Sequence, residues 1–162
     1  MSITEYKSNL LNFVNALHER GRRAKQTMSE GCFDPDVTDI TDKLCGEIFD
    51  DGGKLKIRID VKGLKYEGRT SKLEKLNIGD TVTIQRDGSN VYNHNNFNVF
   101  NDNSDLLGAL PAQLCNVIAP LYDENLLIIE SAKVFYVEKI QERSRYAQQG
   151  VLLVELLFGL LV

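Results

Sequence analysis

The clearest pattern in the chain is a strict alternation of apolar and mostly charged side chains over residues 54–62. Such alternation places the apolar side chains on one face of an extended segment and predicts a half-buried β-strand. The apolar positions are Leu55, Ile57, Ile59 and Val61. The other face carries four positive charges, which either are solvated near a sheet edge or track phosphates along a groove.

The central region, residues 79–123, predicts three short strands followed by a helix. The predicted strands cover 81–86, 97–100 and 106–108, and a long Asn-rich loop over 87–95 joins the first two. Pro111 is expected to open the helix at its first position, where a missing N–H costs nothing. The apolar side of this helix is formed by Leu114, Ile118 and Leu121.

Two longer apolar segments complete the predicted β-structure. Residues 125–140 exceed the usual length of a strand, so a bend or bulge is expected near Ser131 and Ala132. Residues 151–158 predict the closing strand. The C-terminal run VLLVELLFGLLV is too short to cross a bilayer. We interpret it as a buried strand with a tail, and an exposed surface for oligomerisation or a partner is the alternative.

Residues 1–53 are predicted to be a helical extension that precedes a β domain of residues 54–162. Ser2 and Glu5 have capping-box spacing, and apolar residues follow at helical spacing until a stop at Gly21. These residues are Ile3, Tyr6, Leu10, Phe13 and Leu17. The stripe is expected to pack on the chain's own β domain, or alternatively on a second subunit. A second, short helix is predicted from Asp39 to Phe49.

Charge and cysteine content narrow the possible partners and compartment. The net charge of −4 argues against a broadly basic nucleic-acid coat, but residues 54–75 carry +5 after a segment, 30–53, that carries −7. A narrow positive surface is therefore possible. The three cysteines are far apart and odd in number, and the N-terminus lacks a signal-peptide pattern. We therefore expect a cytoplasmic protein with reduced thiols and no membrane segment.

Motifs for common catalytic and metal sites are missing from the sequence. It has two histidines, no Cys and His spacing of a zinc site, no G-x-S-x-G and no Walker loop. The aspartates of residues 30–53 lack the EF-hand spacing. A nucleophile and base formed by Cys115 and His94 is one alternative, and a buried helix cysteine is the favoured interpretation. We expect a binding protein rather than an enzyme, without metal or cofactor.

Short motifs in a fixed order across the central region resemble the HIRAN domain. They are Q-R-D at 85–87, N-x-Y-N-x-N-x-F-x-V at 90–99, L-G-x-L-P at 107–111 and I-A-P-L-Y-D at 118–123. This domain occurs in helicase-like fork-remodelling ATPases and as free-standing prokaryotic proteins. The resemblance extends from Lys54 to Phe158. It implies a mainly β fold with an α extension (α+β), namely a six-stranded OB- or SH3-like barrel with one internal helix.

The resemblance also implies binding of single-stranded DNA in a groove, possible roles in DNA repair or replication, and, in the eukaryotic fork remodellers, capture of a strand's 3′ end. Rings that stack on bases and cations that meet phosphates are what such a site needs. Tyr92 either stacks on a base or covers the barrel mouth. The expected nucleic-acid-binding residues are Lys65, Tyr66, Tyr92, Asn93, Asn95, Arg143, Arg145 and Tyr146.

Several positions depart from the family pattern that this resemblance implies. Val91 replaces a proline, Asn93 an aspartate and Ala109 a histidine or tyrosine, and Ala112 and Gln113 stand where DNA-binding members have basic residues. Because phosphate contacts supply most non-specific affinity, we expect binding of micromolar order or weaker. The rival hypothesis is a protein–protein module that has lost DNA binding and that dimerises or recruits a partner through its N-terminal helix.

Overall fold

The computed structural model describes residues 5, 8–17, 19, 44–49, 53–66, 68–139 and 150–161. Some sequence predictions lie outside these residues. They are the start of the capping box at 2–4 with Ile3, Tyr6, the helix stop at Gly21, the predicted helix before residue 44, and the site residues Arg143, Arg145 and Tyr146.

The described elements form a mixed fold that consists mostly of strands. In chain order they are α1 (8–17), β1 (Cys45–Phe49), β2 (Lys54–Asp60), α2 (Arg69–Leu73), β3 (Thr83–Asp87), β4 (Asn96–Phe100), β5 (Leu106–Ala109), α3 (Ala112–Asp123), β6 (Leu127–Glu138) and β7 (Val151–Leu160). A four-stranded antiparallel sheet has the order β1-β2-β7-β6, and a three-stranded antiparallel sheet has the order β3-β4-β5.

The predicted six-stranded closed barrel is corrected by this topology. Seven strands are present among the described residues, and they form two sheets that do not close into a barrel. Single bridges connect the sheets, one between Lys62 and Ala109 and the other between Thr81 and Lys133. The strand count differs because β1 was not predicted, and the sheets stay separate because each junction is one bridge instead of a continuous ladder.

β1 replaces the end of the helix that was predicted from Asp39 to Phe49. Cys45 to Phe49 pair with Arg58 to Lys54 in antiparallel register. β1 and β2 form a hairpin in which Phe49 pairs with Lys54. The backbone hydrogen bonds of this hairpin override the weak helical signal given by the spacing of Leu44 and Ile48. The division between an extension and a domain at residue 53 stays a prediction, although β1 and β2 on either side of it share a sheet.

The core lies between the two sheets and α3 and confirms the predicted inward faces. Leu55, Ile57, Ile59 and Val61 are buried from β2 and its continuation, and Phe97 and Val99 from β4. α3 adds Leu114, Ile118 and Leu121, all fully enclosed. Each such side chain contributes about 1.5–3 kcal/mol through removal from water. This core supports the surface on which the candidate site lies.

α1 packs on the β domain of the same chain. This was the first of the two alternatives predicted for its apolar stripe. Leu10, Val14 and Leu17 are buried within the common core. Gly46 of β1 permits the close approach, since a Cβ at that position would lie 3.2 Å from Val14 Cγ1. Phe13 is only partly buried, and Val14 takes a core position that the predicted stripe did not include.

The C-terminal apolar run forms a central strand of the larger sheet. β7 lies between β2 and β6, and most of its side chains are buried, so this run is not an exposed surface patch. β6 shifts register between Ile129 and Ser131, which confirms the predicted irregularity. Among the described helices, none combines the length and apolar character needed to cross a membrane.

Candidate nucleic-acid interface

A groove of about 610 Å³ lies between the smaller sheet and the segment that follows β2. One side is built by residues 62–66 and α2, and the other by the loop between β3 and β4 together with β4 and β5. We call it the tyrosine groove because two tyrosines line it. Its described lining residues are Lys62, Gly63, Lys65, Tyr66, Arg69, Asn90, Tyr92, Asn96, Asn98, Gly108 and Ala109.

The first side of the groove is held by a turn at Gly63. This glycine has a φ of +81°, a conformation that disfavours residues with a side chain. Arg69 Nη1 donates a hydrogen bond of 2.8 Å to the Gly63 carbonyl oxygen. The same guanidinium lies 5.0 Å from the centre of the Tyr66 ring, within the range of a cation–π contact. Arg69 therefore positions both the turn and the Tyr66 ring, which stays 59% exposed.

Gly108 allows β5 to lie close to the backbone at Lys62, where the first side of the groove begins. Lys62 and Ala109 exchange two backbone hydrogen bonds of 2.8 and 3.0 Å. A Cβ on the intervening Gly108 would lie only 2.2 Å from the Lys62 carbonyl oxygen, a distance that no real contact allows. The glycine of the L-G-x-L-P motif is thus required by a backbone crossing, and the crossing fixes the start of the segment that carries Lys65.

The opposite side is the loop over residues 88–95, whose turn is built by asparagine side chains. Asn90 Oδ1 accepts hydrogen bonds from the backbone N–H groups of Tyr92, at 2.9 Å, and Asn93, at 3.0 Å. Asn93 Oδ1 in turn accepts from the Asn95 N–H at 3.0 Å. These Asx turns substitute for backbone pairing. They present Tyr92 at the tip, with 95% of the residue exposed.

Arg86 ties the base of this loop to the end of α3. Its Nε and Nη2 donate to the two carboxylate oxygens of Asp123, each at 3.0 Å, and its Nη1 donates to the His94 carbonyl oxygen at 2.6 Å. The hydrogen bond to Asp123 raises the pKa of Arg86 above its ordinary value. The Q-R-D and I-A-P-L-Y-D motifs are therefore joined by a bidentate pair that supports the loop from outside the groove.

The groove is positive where the chain as a whole is acidic. Of the described residues that line it, Lys62, Lys65 and Arg69 are cationic and none is a carboxylate. Lys62 pairs with Asp60, and Arg69 is held by the Gly63 carbonyl oxygen. Within the described part of the chain, no residue makes a hydrogen bond or ion pair with the exposed Lys65 ammonium. Among the described residues that line the groove, Lys65 is thus a cation available to an anionic ligand.

The structure brings three of the predicted site residues into one groove: Lys65, Tyr66 and Tyr92. Asn93 and Asn95 do not line it. The Asn93 side chain holds the loop, and Asn95 Nδ2 donates to Asn116 Oδ1 at 3.2 Å. The remaining three, Arg143, Arg145 and Tyr146, lie outside the described residues.

Several groove residues were not among the expected binding residues. They are Arg69, Asn90, Asn96 and Asn98, together with Lys62, which the sequence offered only as one of four charges on the outer face of residues 54–62. Lys62 and Arg69 reach the groove only through the Gly63 turn and the backbone crossing, which have no local signal. Asn96 and Asn98 alternate with the core residues Phe97 and Val99, and that alternation shows that they share the outer face of β4. A signal for these two residues was therefore present in the sequence.

Cys115 lies in α3 and is fully buried. Its Sγ donates to the Leu110 carbonyl oxygen at 3.5 Å, and burial raises the pKa of the thiol to about 11. A thiol in this state is a poor nucleophile at neutral pH. Among the described residues, no three His, Cys, Asp or Glu side chains are grouped so that they could hold a metal ion.

The two antiparallel sheets form a mixed, mostly β domain, and a tyrosine-lined, cationic groove lies against the smaller sheet. Residues 54–151 match the HIRAN domain family. The chain belongs to this family, and the match covers more than half of its length. The resemblance that the sequence motifs suggested is thereby confirmed. A comparison with curated proteins gave no match.

Similar solved structures include HIRAN domains. The chain is 26% identical to the HIRAN domain of human HLTF, with 67% of this chain and 82% of that chain covered and a TM-score of 0.48. An NMR structure of the HLTF HIRAN domain in its DNA-bound conformation is 24% identical, covers 70% and 79%, and has a TM-score of 0.45. A protein from Lactobacillus plantarum is 21% identical, covers 65% and 98%, and has a TM-score of 0.49.

Proposed function

We propose that this chain is a non-catalytic nucleic-acid-binding module that holds single-stranded DNA, including strand ends, in the tyrosine groove. Membership of the HIRAN family supports a nucleic-acid ligand, and one family member, the HIRAN domain of human HLTF, has a structure described as its DNA-bound conformation. The groove itself supports the proposal independently, through its exposed aromatic rings and its positive lining.

The observation that carries the proposal is the exposure of Tyr92 at 95% on the rim of a groove that also contains Lys65 and Tyr66. Burying a large aromatic side chain is worth about 1.5–3 kcal/mol, so a fully solvated ring forgoes that stabilisation. The Asx turns at Asn90 and Asn93 hold the loop backbone that carries this ring. A base stacked on the ring supplies the apolar contact that the fold itself leaves unmade.

The roles follow from the chemistry of each side chain. Tyr92 stacks on one base and Tyr66 on a neighbouring one, and each stack contributes about 1–3 kcal/mol. Lys65 contacts a phosphate as a mobile point charge. A 1 μM complex requires about 8 kcal/mol. Two stacks and one or two phosphate contacts supply that much at most, and the cost of association is subtracted from it, so we expect binding of micromolar order or weaker. For single strands, each phosphate contact lowers the logarithm of the affinity by about 0.7 per tenfold rise in salt.

Fluorescence anisotropy with labelled single-stranded oligonucleotides at low salt tests the proposal. Tyr92→Ala is expected to weaken binding about 10-fold or more, and Lys65→Ala to weaken it and to flatten the salt dependence. Matched controls are Val91→Ala, which removes the exposed neighbour of Tyr92, and Lys75→Ala, which removes a charge lining a different cleft. Absence of binding at tens of micromolar protein, or equal effects of site and control variants, refutes the proposal.

The rival protein–protein function requires a surface for the partner. In the described structure, the stripe formed by Leu10, Val14 and Leu17 is occupied by the chain's own core. A dimer formed through α1 would therefore have to displace this helix. Light scattering of the full chain separates the hypotheses, since a dimer combined with absent oligonucleotide binding favours the rival.

A further inference from the structure

A network of side-chain hydrogen bonds leads from Asp87 to two asparagines that line the tyrosine groove. Asp87, at the end of β3, faces Asn96 across the strand pair, and Asn98 lies two residues further along β4. Asn98 Nδ2 donates to Asp87 Oδ2 at 3.2 Å, and Asn96 Nδ2 donates to Asn98 Oδ1 at 2.8 Å. Asn96 and Asn98 both line the groove.

The hydrogen bonds of this network have a fixed direction, because its first member, the Asp87 carboxylate, can only accept them. An ionised carboxylate has no proton to give, so Asp87 forces Asn98 to present its amino group, and the Asn98 oxygen then forces Asn96 to do the same. The Ser89 hydroxyl, followed by the Asn98 and Asn96 amides, holds the pKa of Asp87 below its ordinary value, so the carboxylate stays ionised at neutral pH. The amide orientations therefore follow from the network.

At the end of this network one acceptor, the Oδ1 atom of Asn96, has no hydrogen-bond donor in the described part of the chain. Asn96 is only 7% exposed, and no described residue donates a hydrogen bond to this oxygen. Among the described residues, every fully enclosed side-chain nitrogen or oxygen has a hydrogen-bond partner. The unpaired oxygen therefore keeps contact with solvent, and the groove is the solvent-filled space that Asn96 lines.

We propose that Asn96 Oδ1 is a specificity-determining acceptor that selects bases with an exocyclic amino group, as in adenine and cytosine. The inference rests on the proposed function and adds a base preference to it. A nearly buried acceptor rejects a ligand that leaves it unpaired, because the lost hydration is then not replaced. Thymine and uracil offer only a ring N–H between two carbonyl oxygens, whose negative ends repel the Asn96 oxygen.

Asp87 acts as a positioning residue in this scheme. It does not touch the base, but it keeps the Asn98 and Asn96 amides from rotating into a mixture of orientations. Asp87→Asn preserves shape and still provides an acceptor for the Ser89 N–H, yet it can also donate. The substitution therefore permits the reversed chain, in which Asn96 presents its amino group to the groove.

The test compares an oligoadenylate with the same oligonucleotide built from purine deoxyribonucleosides, which lack only the 6-amino group. Wild-type protein is expected to bind the adenine strand about 3- to 10-fold more tightly, the worth of one hydrogen bond to a buried acceptor. Asn96→Leu and Asp87→Asn are expected to remove this hydrogen bond. The remaining ratio should then reflect only the difference in stacking between adenine and purine. The ratio is insensitive to the charge change at Asp87, since both strands carry the same phosphates.

Three outcomes are informative in different ways. A ratio near one for wild type, with binding that still depends on Tyr92, overturns the base preference and leaves the proposed function intact. Absence of binding to either strand overturns both. Strands that end in a 3′- or 5′-phosphate instead of a hydroxyl form a further arm: if Asn96→Leu affects only hydroxyl-ended strands, the acceptor serves a terminal hydroxyl and the assignment to a base amino group is wrong.

Discussion

Replacement of Gly108 by alanine tests the idea that a backbone crossing builds the tyrosine groove. The added Cβ would lie 2.2 Å from the Lys62 carbonyl oxygen and 2.7 Å from Val61 Cγ1. The first of these neighbours is backbone, so a rotamer change cannot relieve the contact. The strand end at residue 62 and β5 must instead move apart by about 1 Å in a close-packed region.

The cost follows from the contacts that this movement breaks. The two hydrogen bonds between Lys62 and Ala109 contribute about 1 kcal/mol each, and overpacking adds about 1–3 kcal/mol. The smaller backbone entropy of alanine in the unfolded chain returns about 0.4–1 kcal/mol. Gly108→Ala is therefore expected to lower the free energy of unfolding by about 2–4 kcal/mol.

Urea unfolding followed by far-UV circular dichroism measures this change. Gly88→Ala is the matched control, since its added Cβ would meet no atom closer than 3.9 Å, and a change within about 0.5 kcal/mol is expected there. Equal stability of the two variants would refute the crossing as the reason for glycine at position 108. In oligonucleotide titrations, Gly108→Ala should also weaken binding, because the segment bearing Lys65 and Tyr66 moves with residue 62.

Two further predictions concern single ionisable groups. The Cys115 thiol, with its pKa raised to about 11 by burial, should resist iodoacetamide at pH 8 in the folded protein and react once urea is added; rapid labelling of the native protein at Cys115 itself, located by peptide mass spectrometry, would contradict this. Burial by itself would raise the pKa of Glu155, but its hydrogen bond to Arg58 and the neighbouring cations lower it overall. Because the folded pKa lies below the unfolded one, Glu155 stabilises the fold at neutral pH, and this contribution is lost as the pH falls through the folded value. Glu155→Gln should thus lower the unfolding free energy by roughly 1 kcal/mol at pH 7 and by less in acid, and a difference independent of pH would count against the pairing.

Local patterns in the sequence predicted those parts of the fold that local patterns control. The alternation around Ile57 and the helical spacing of Leu114 and Ile118 both identified buried faces correctly. The strand at Cys45–Phe49 was missed because the helical spacing of Leu44 and Ile48 favoured a helix, although the segment pairs with β2 as a hairpin. Closure into a barrel was wrong for a different reason, since the pattern of a strand does not say how many hydrogen bonds it shares with each neighbour.

The candidate site was predicted only in part. The sequence identified two exposed groove residues, Tyr92 and Lys65, because a loop tip and a charged segment can be recognised from the sequence alone. Asn93 was assigned to the ligand, yet its side chain holds the turn, and the sequence cannot distinguish these uses of one amide. Arg69 reaches the groove through contacts with Gly63 and Tyr66 that depend on the tertiary arrangement.

The hydrogen-bonded loop that carries Tyr92 has a consequence for the kinetics of recognition. Ordering a flexible residue costs about 1–2 kcal/mol of backbone entropy. In this loop the hydrogen bonds made by Asn90, Asn93 and Arg86 already order the backbone in the absence of a ligand, so binding does not incur this cost again. Association should then approach the rate of rigid docking, and substitutions at the ring should act mainly on how long a complex lasts. A module with few contacts would thereby sample a strand quickly and release it quickly.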